Sequence, residues 1–96
     1  RIIVRGRLVL ISEILKMLEK ENITQILGER IRQTRKECKL SQEDLALESD
    51  IDRSFIGGVE RGERNLSFKK LCDIARVLKC DLSELCHDLP VSGEKL

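Results

Sequence analysis

Two short helices joined by a tight corner are the feature that most limits what this chain can fold into. The stretch begins at Ser41 and reads SQEDLALESDIDRSFIGGVER. Ser41 followed three residues later by Asp44 resembles a capping box, with Asp in place of the usual Glu or Gln. Asp52 offers a second helix cap. The sequence therefore predicts helices over 42–48 and 53–60, a close pair that fits a helix-turn-helix with the second helix as the reading element.

Composition and apolar spacing predict that most of the remaining chain is helical too. Helix-forming residues dominate, and the single proline, Pro90, lies near the end. Aromatic residues make up only 2%, which disfavours a stacking surface for single-stranded nucleic acid. Thr24 is expected to cap one helix. The further helices are predicted over 13–21, 25–38, 67–78 and 83–89.

The first residues separate from the helical part of the chain. RIIVRGRLVLI at 1–11 fits a short hairpin, one edge strand or an extended arm, and it is too short and too charged to span a bilayer. We expect no membrane partner and, in the absence of a secretion signal, a cytoplasmic location with reduced thiols. The expected division is an N-terminal extension over 1–23, a helix-turn-helix domain over 24–90 and a frayed tail over 91–96.

The near-neutral net charge of +1 hides an uneven distribution along the chain. Residues 53–70 hold five cations and two anions, whereas residues 81–96 hold one cation and four anions. A protein with one side facing DNA and another side averse to it needs such a separation. Ordinary variation of a solvated surface produces similar runs, so the pattern supports a DNA partner without requiring one.

Catalytic and metal chemistry find no support in the sequence. No pair of cysteines has C-x-x-C spacing, and the lone histidine, His87, stands beside Cys86 without further ligands at metal-site spacing. No serine has an adjacent base, and no phosphate-binding loop is present. We expect a protein that is not an enzyme and that has no cofactor and no metal.

The helix predicted over 53–60 has an apolar back and a sparsely decorated front. Ile56 and Val59 point the same way at 100° per residue, and the opposite arc holds small or cationic residues. Two adjacent glycines, Gly57 and Gly58, each cost about 1 kcal/mol against alanine in a helix interior. Either they let the helix backbone approach base edges in a major groove, or they pack beside a neighbouring helix.

The helix predicted over 67–78 is apolar round more than half of its circumference. In a small chain this suggests a second buried surface, which we interpret as a homodimer interface. Residues 1–21 are a rival source of cover, from the same chain or exchanged between chains. The predicted interface residues are Ile74, Val77, Leu78, Leu82 and Leu85.

LSQEDLA at 40–46 is followed by VERG at 59–62 and RN at 64–65. At this spacing residues 27–86 resemble the Xre/Cro-type helix-turn-helix family of phage repressors and bacterial regulators. Within the family, DRSFIGGVERGERN is most similar to the controller proteins of restriction–modification systems. The resemblance implies an all-α, five-helix, lambda-repressor-like DNA-binding domain. Lys39 departs from the family's usual glycine, so it should be strained in a left-handed turn or end the first helix differently.

The resemblance also implies roles for particular residues. Base contacts would come from Arg53, Ser54, Phe55, Gly57 and Gly58. Contacts to the DNA backbone would come from Gln42, Arg61, Arg64 and Asn65. The family pairs an arginine of the first core helix with the glutamate of VERG, which implies a structural ion pair between Arg35 and Glu60.

These expectations describe a dimeric, sequence-specific regulator of transcription that binds a pseudo-palindromic operator in double-stranded DNA. A protein-interaction module remains open, because Xre-like domains also occur in antitoxins and coactivators. The N-terminal extension would then be the surface that meets a protein partner.

Overall fold

A computed structural model describes residues 2–4, 6–11 and 23–89. Within these ranges the chain forms five helices after a two-stranded hairpin, which confirms the predicted all-α class with its N-terminal extension. No helix in the described ranges is long and apolar enough to cross a membrane. The elements are β1 (Ile2–Val4), β2 (Arg7–Val9), α1 (Ile23–Glu37), α2 (Gln42–Ser49), α3 (Arg53–Glu60), α4 (Phe68–Leu78) and α5 (Leu82–Cys86).

A hairpin is the form that the first residues take among the three that the sequence left open. β1 and β2 pair antiparallel with Ile3 opposite Leu8 and Val4 opposite Arg7. Gly6 lies in the connecting turn with φ +74°, a left-handed conformation that favours glycine. The helix predicted over 13–21 lies outside the described residues. The division at residues 23 and 90 stays a prediction.

Helices α1 to α4 all end in the same hydrogen-bonded turn. After α1, the N–H of Leu40 donates to the carbonyl oxygen of Arg35 at 3.1 Å, and the N–H of Lys39 donates to that of Lys36 at 2.9 Å. This is a Schellman motif, which needs a left-handed residue just beyond the helix. Lys39 therefore keeps the left-handed turn despite its side chain. At these four helix ends the left-handed residues are Lys39, Asp50, Gly62 and Lys79.

The helix starts follow the sequence closely, except at Thr24. Asp52 precedes α3 as predicted, but its side chain makes no capping hydrogen bond. Ser41 and Asp44 form the predicted capping box, since each side chain accepts the main-chain N–H of the other. Ser67 caps α4 by accepting the N–H of Lys70 at 3.2 Å. The expectation for Thr24 was wrong, because α1 already begins at Ile23 and the Thr24 hydroxyl instead donates to a carbonyl oxygen in the loop after α3.

The last helix is shorter than the sequence predicted. It was expected over 83–89 with Pro90 as its end, but α5 spans only Leu82–Cys86. Arg30 of α1 explains the early end, because its guanidinium donates to the carbonyl oxygens of Leu85, at 3.0 Å, and of His87. These carbonyls are thereby turned toward α1, and the backbone of His87 is extended.

The core is one cluster to which every helix contributes. α1 packs on α3 and α5, α2 packs on α3 and α4, and α4 packs on α5. α1 and α3 approach so closely that a Cβ atom added at Gly28 would lie 2.1 Å from the carbonyl oxygen of Val59. Only glycine therefore fits where these two helices touch. The fully buried side chains include Ile31, Leu45, Ile56, Ile74 and Leu85.

Three of the residues predicted for a dimer interface lie inside the protomer instead. The exposed fractions of Ile74, Leu78 and Leu85 are 0%, 2% and 1%. The sequence showed that α4 is apolar over a wide arc, but α2 and α5 pack on it from within the same chain and bury that arc. Only Val77 and Leu82 of the predicted set are half-buried, so only they retain surface for a partner.

Candidate nucleic-acid interface

Arg53 stands on the exposed side of the second helix of the motif. Its side chain is 60% exposed, and its Nε lies 3.7 Å from Oε1 of Glu43, which is itself exposed on α2. An exposed pair at this distance contributes at most about 1 kcal/mol, so Glu43 does not hold the guanidinium against a stronger partner. Arg53 is thus available at the start of α3.

Ser54 is engaged within the same helical turn. Its hydroxyl donates to the carboxylate of Asp52, the residue that precedes α3. This hydrogen bond is the main reason that the pKa of Asp52 lies below its usual value, because it favours the charged carboxylate. Ser54 is exposed, and its oxygen keeps acceptor capacity for a donor on a base edge.

A buried carboxylate fixes the other end of α3. Glu60 accepts two hydrogen bonds from Arg35 of α1, from Nε at 2.7 Å and from Nη2 at 3.0 Å. Arg35 also donates from Nη1 to the carbonyl oxygen of Leu40 at 2.8 Å. The hydrogen bond with Glu60 raises the pKa of Arg35, while burial opposes that shift. The pair implied by the resemblance therefore ties α1 to α3.

Gln42 joins the same network from α2. Its Nε2 donates to Oε1 of Glu60 at 3.0 Å, and its side chain is half-buried. Glu60 consequently links the start of α2 to the end of α3 as well as to α1. The sequence placed Gln42 at the DNA backbone and did not reveal this inward contact, because the two residues are far apart in the motif.

Gly57 and Gly58 are buried, and the nearest side chains come from the loop after the helix, with Oε1 of Gln42 from α2 beside Gly57 as well. A Cβ atom at Gly57 would lie 3.1 Å from Nη1 of Arg61. A Cβ atom at Gly58 would lie 2.6 Å from Cγ of Arg64. The two arginines fold back across the front of α3, and the glycines leave room for them. Packing beside a neighbouring helix, one of the two explanations offered from the sequence, holds only for Gln42 of α2 beside Gly57, and neither explanation included the contacts with Arg61 and Arg64.

Phe55 is half-buried and packs against the core. Two cations lie beside its ring: Nζ of Lys70 is 4.1 Å from the ring centroid, and Cζ of Arg64 is 5.9 Å from it. Both distances fall within the range of cation–π attraction. The first turn of α4 is thereby brought beside the first turn of α3.

The loop between α3 and α4 supplies the remaining predicted backbone contacts. Arg61 and Asn65 are exposed, as Arg64 is. Nε of Arg61 lies 3.1 Å from Oε1 of Glu63, and both side chains are mostly in solvent. Arg61 and Arg64 of this loop thus lie against Gly57 and Gly58 of α3.

A helix-turn-helix family model matches residues 31–85, more than half of the chain. The protein belongs to this family, the Xre/Cro-type DNA-binding regulators that its sequence resembles. The match covers α2, α3 and α4 completely and nearly all of α5.

Several similar proteins within this family are named as control or controller proteins. The chain is 41% identical over 64 residues to control protein C.SmaI of Serratia marcescens, covering 67% of this chain and 76% of the relative. It is 40% identical over 58 residues to control protein C.BamHI of Bacillus amyloliquefaciens, covering 59% of this chain and 72% of that one. The restriction–modification controller protein C.AhdI of Aeromonas hydrophila has a similar crystal structure, with a TM-score of 0.64 and 43% identity. That match covers 66% of this chain and 96% of C.AhdI.

Proposed function

We propose that this protein is a sequence-specific regulator of transcription that binds double-stranded DNA as a homodimer. The observation that carries the proposal is an exposed arginine, Arg53, at the start of a helix that a buried network fixes at its other end. Likeness to restriction–modification controller proteins suggests that the regulated genes belong to such a system. The same likeness, to regulators and not to enzymes, supports a function without catalysis.

Arg53 would supply most of the sequence discrimination. A guanidinium in the major groove binds O6 and N7 of guanine together, and a good bidentate pair is worth about 1–3 kcal/mol against the wrong base. Ser54, beside it, has an oxygen that accepts from a base amine. The network of Arg35, Gln42 and Glu60 gives α3 a fixed direction, which bidentate contacts require.

The backbone contacts would come from the loop that follows. Arg61, Arg64 and Asn65 are exposed and suit phosphate oxygens. Such contacts set the position and orientation of the protein without reading sequence. They also make binding strongly dependent on salt, because each phosphate contact releases counterions.

A dimer would place two copies of α3 in successive major grooves, about 34 Å apart. The surface that supports pairing lies where α4 meets α5, because Val77 and Leu82 are only half-buried there. The operator would then have two-fold symmetry that follows the symmetry of the protein.

Selection of binding sites from random duplex DNA tests this proposal. We expect a two-fold symmetric consensus with guanine at one position of each half-site. Arg53→Ala should reduce the ratio of affinities for selected and random duplexes by about 5–150-fold per half-site, from the 1–3 kcal/mol of one bidentate contact. Binding to random duplex should change far less. An equal loss on both duplexes would refute the reader role of Arg53.

A protein-interaction module is the second candidate, and the hairpin favours it. Ile3 is 71% exposed on β1, and Leu10 and Ile11 are exposed after β2. A two-stranded hairpin with exposed apolar side chains gains stability from a partner that covers it. Purification with a stoichiometric protein partner, and no retention on DNA at low salt, would decide for this candidate.

A further inference from the structure

Most cations around α3 and the first turn of α4 already have an acidic partner. Arg53 lies beside Glu43, Arg61 beside Glu63, and Lys69 donates to Asp73. Arg64 and Lys70 differ, because no carboxylate of the described residues lies within ion-pair distance of either. These two cations therefore meet a new anion without first releasing one.

The ring of Phe55 brings the two together. Lys70 belongs to α4 and Arg64 to the preceding loop, yet both face the same ring, at 4.1 Å and 5.9 Å from its centroid. Phe55 is itself held, because it packs half-buried against the core. The ring is thus a fixed surface that keeps two positive charges on one side of α3.

Gly58 fixes the stem of Arg64 in the same place. A Cβ atom added at Gly58 would lie only 2.6 Å from the Cγ atom of Arg64. Any larger residue at position 58 would displace the Arg64 side chain from α3. The clash would be at Cγ, close to the Arg64 backbone, where that side chain has little freedom to move. Lys70 is fixed at its backbone, since its N–H is bonded to the cap residue Ser67.

We propose that Arg64 and Lys70 bind neighbouring phosphates of one DNA strand, and that Phe55 and Gly58 are positioning residues for these two cations. Lys70 is then a DNA contact contributed by α4, outside the helix-turn-helix itself. Phe55 acts through Lys70 and Arg64, because both cations lie beside its ring. The ring packs on the core, whereas the side chain of Arg53 is mostly exposed. The inference rests on the proposed DNA-binding function.

Salt dependence separates this contact from a structural effect. Each phosphate contact contributes a slope of about 0.9 to the fall of log K with log salt. Binding is measured by fluorescence anisotropy on a duplex pool of random sequence, with thermal unfolding as the check on folding. For each half-site, we expect Lys70→Gln to lower the slope by about 0.9, so that between about 50 and 200 mM salt the affinity falls about 3.5-fold less than that of the unsubstituted protein.

Lys69→Gln is the matched control. Lys69 carries the same charge one residue earlier, but it is 85% exposed and paired with Asp73. Its substitution should leave the slope unchanged. An equal decrease for Lys69→Gln and Lys70→Gln would overturn the inference, because the effect would then come from net charge alone.

Phe55→Leu tests the positioning role, since it keeps apolar volume against the core while removing the ring. It should weaken binding to random duplex in the otherwise unchanged protein and have a smaller effect when Lys70 is already glutamine, because only Arg64 is then left for the ring to position. Additive losses, or a decreased preference for a selected duplex over random duplex, would overturn the role. If log K falls steeply with log salt for the unsubstituted protein and equally steeply for Lys70→Gln, only this inference is refuted. A flat slope for the unsubstituted protein refutes it together with the proposed function.

Discussion

Replacing Glu60 by glutamine removes the counterion of a guanidinium that is itself buried. The side chains of Arg35 and Glu60 are only 10% and 2% exposed, and two hydrogen bonds of 2.7 and 3.0 Å join them. Removing one partner of a buried pair leaves an uncompensated charge and costs about 3–5 kcal/mol. For a small domain whose free energy of unfolding is about 5–15 kcal/mol, that is a large fraction.

A double-mutant cycle shows whether the cost comes from the unpaired charge. Urea unfolding of Glu60→Leu and of Arg35→Met should each show a loss of about 3–5 kcal/mol, as Glu60→Gln should. The double variant, Arg35→Met with Glu60→Leu, should lose far less than the sum, because apolar residues of similar volume often replace a buried pair at little cost. Breaking the exposed pair of Lys69 and Asp73 is the control and should cost less than about 1 kcal/mol. Additive losses at positions 35 and 60 would refute the reasoning.

Two further predictions concern backbone sites where a side chain is strained or excluded. Lys39→Gly should raise the free energy of unfolding by about 1 kcal/mol, because Lys39 is held at φ 59°. Gly62→Ala, with φ 78° at the corresponding turn, should lower the free energy of unfolding. Urea unfolding of both variants measures this, and a loss of stability for Lys39→Gly would contradict the account. Gly28→Ala should cost about 3 kcal/mol or more, since its Cβ would lie 2.1 Å from the carbonyl oxygen of Val59. Gly57→Ala is the comparison: its nearest neighbour is a mobile guanidinium at 3.1 Å, so thermal unfolding should show no loss of stability, and equal losses at 28 and 57 would refute the steric argument.

The elements that the sequence predicted well are those specified by local signals. The bounds of α3, Arg53–Glu60, agree with the prediction made from Asp52 before it and the apolar back along it, although the Asp52 side chain makes no capping hydrogen bond. The capping box of Ser41 and Asp44 joins residues three apart and needs no knowledge of the fold.

The errors arose where a distant residue decides the outcome. The early end of α5 depends on Arg30, which lies 55 residues before Leu85 in the sequence. Ile74 was assigned to a dimer surface because an apolar arc in the sequence does not show which neighbour covers it. In the structure, elements of the same chain bury it completely.

The glycines of α3 show the same limit in the candidate site. Their unusual position was evident from the sequence and indicated a requirement for small residues. Which atoms need the space was not evident, because Arg61 and Arg64 reach Gly57 and Gly58 only once the loop after α3 folds back. The family resemblance supplied roles for these residues but not the contacts between them.

Methylation protection of guanine N7 tests most directly whether Arg53 reads a base in the major groove. On a duplex obtained by selection, the bound protein should protect one guanine N7 in each half-site from dimethyl sulfate. Arg53→Ala, at a concentration that keeps the duplex occupied, should leave that guanine reactive. Full reactivity under the unsubstituted protein, or protection that persists without Arg53, would contradict the account.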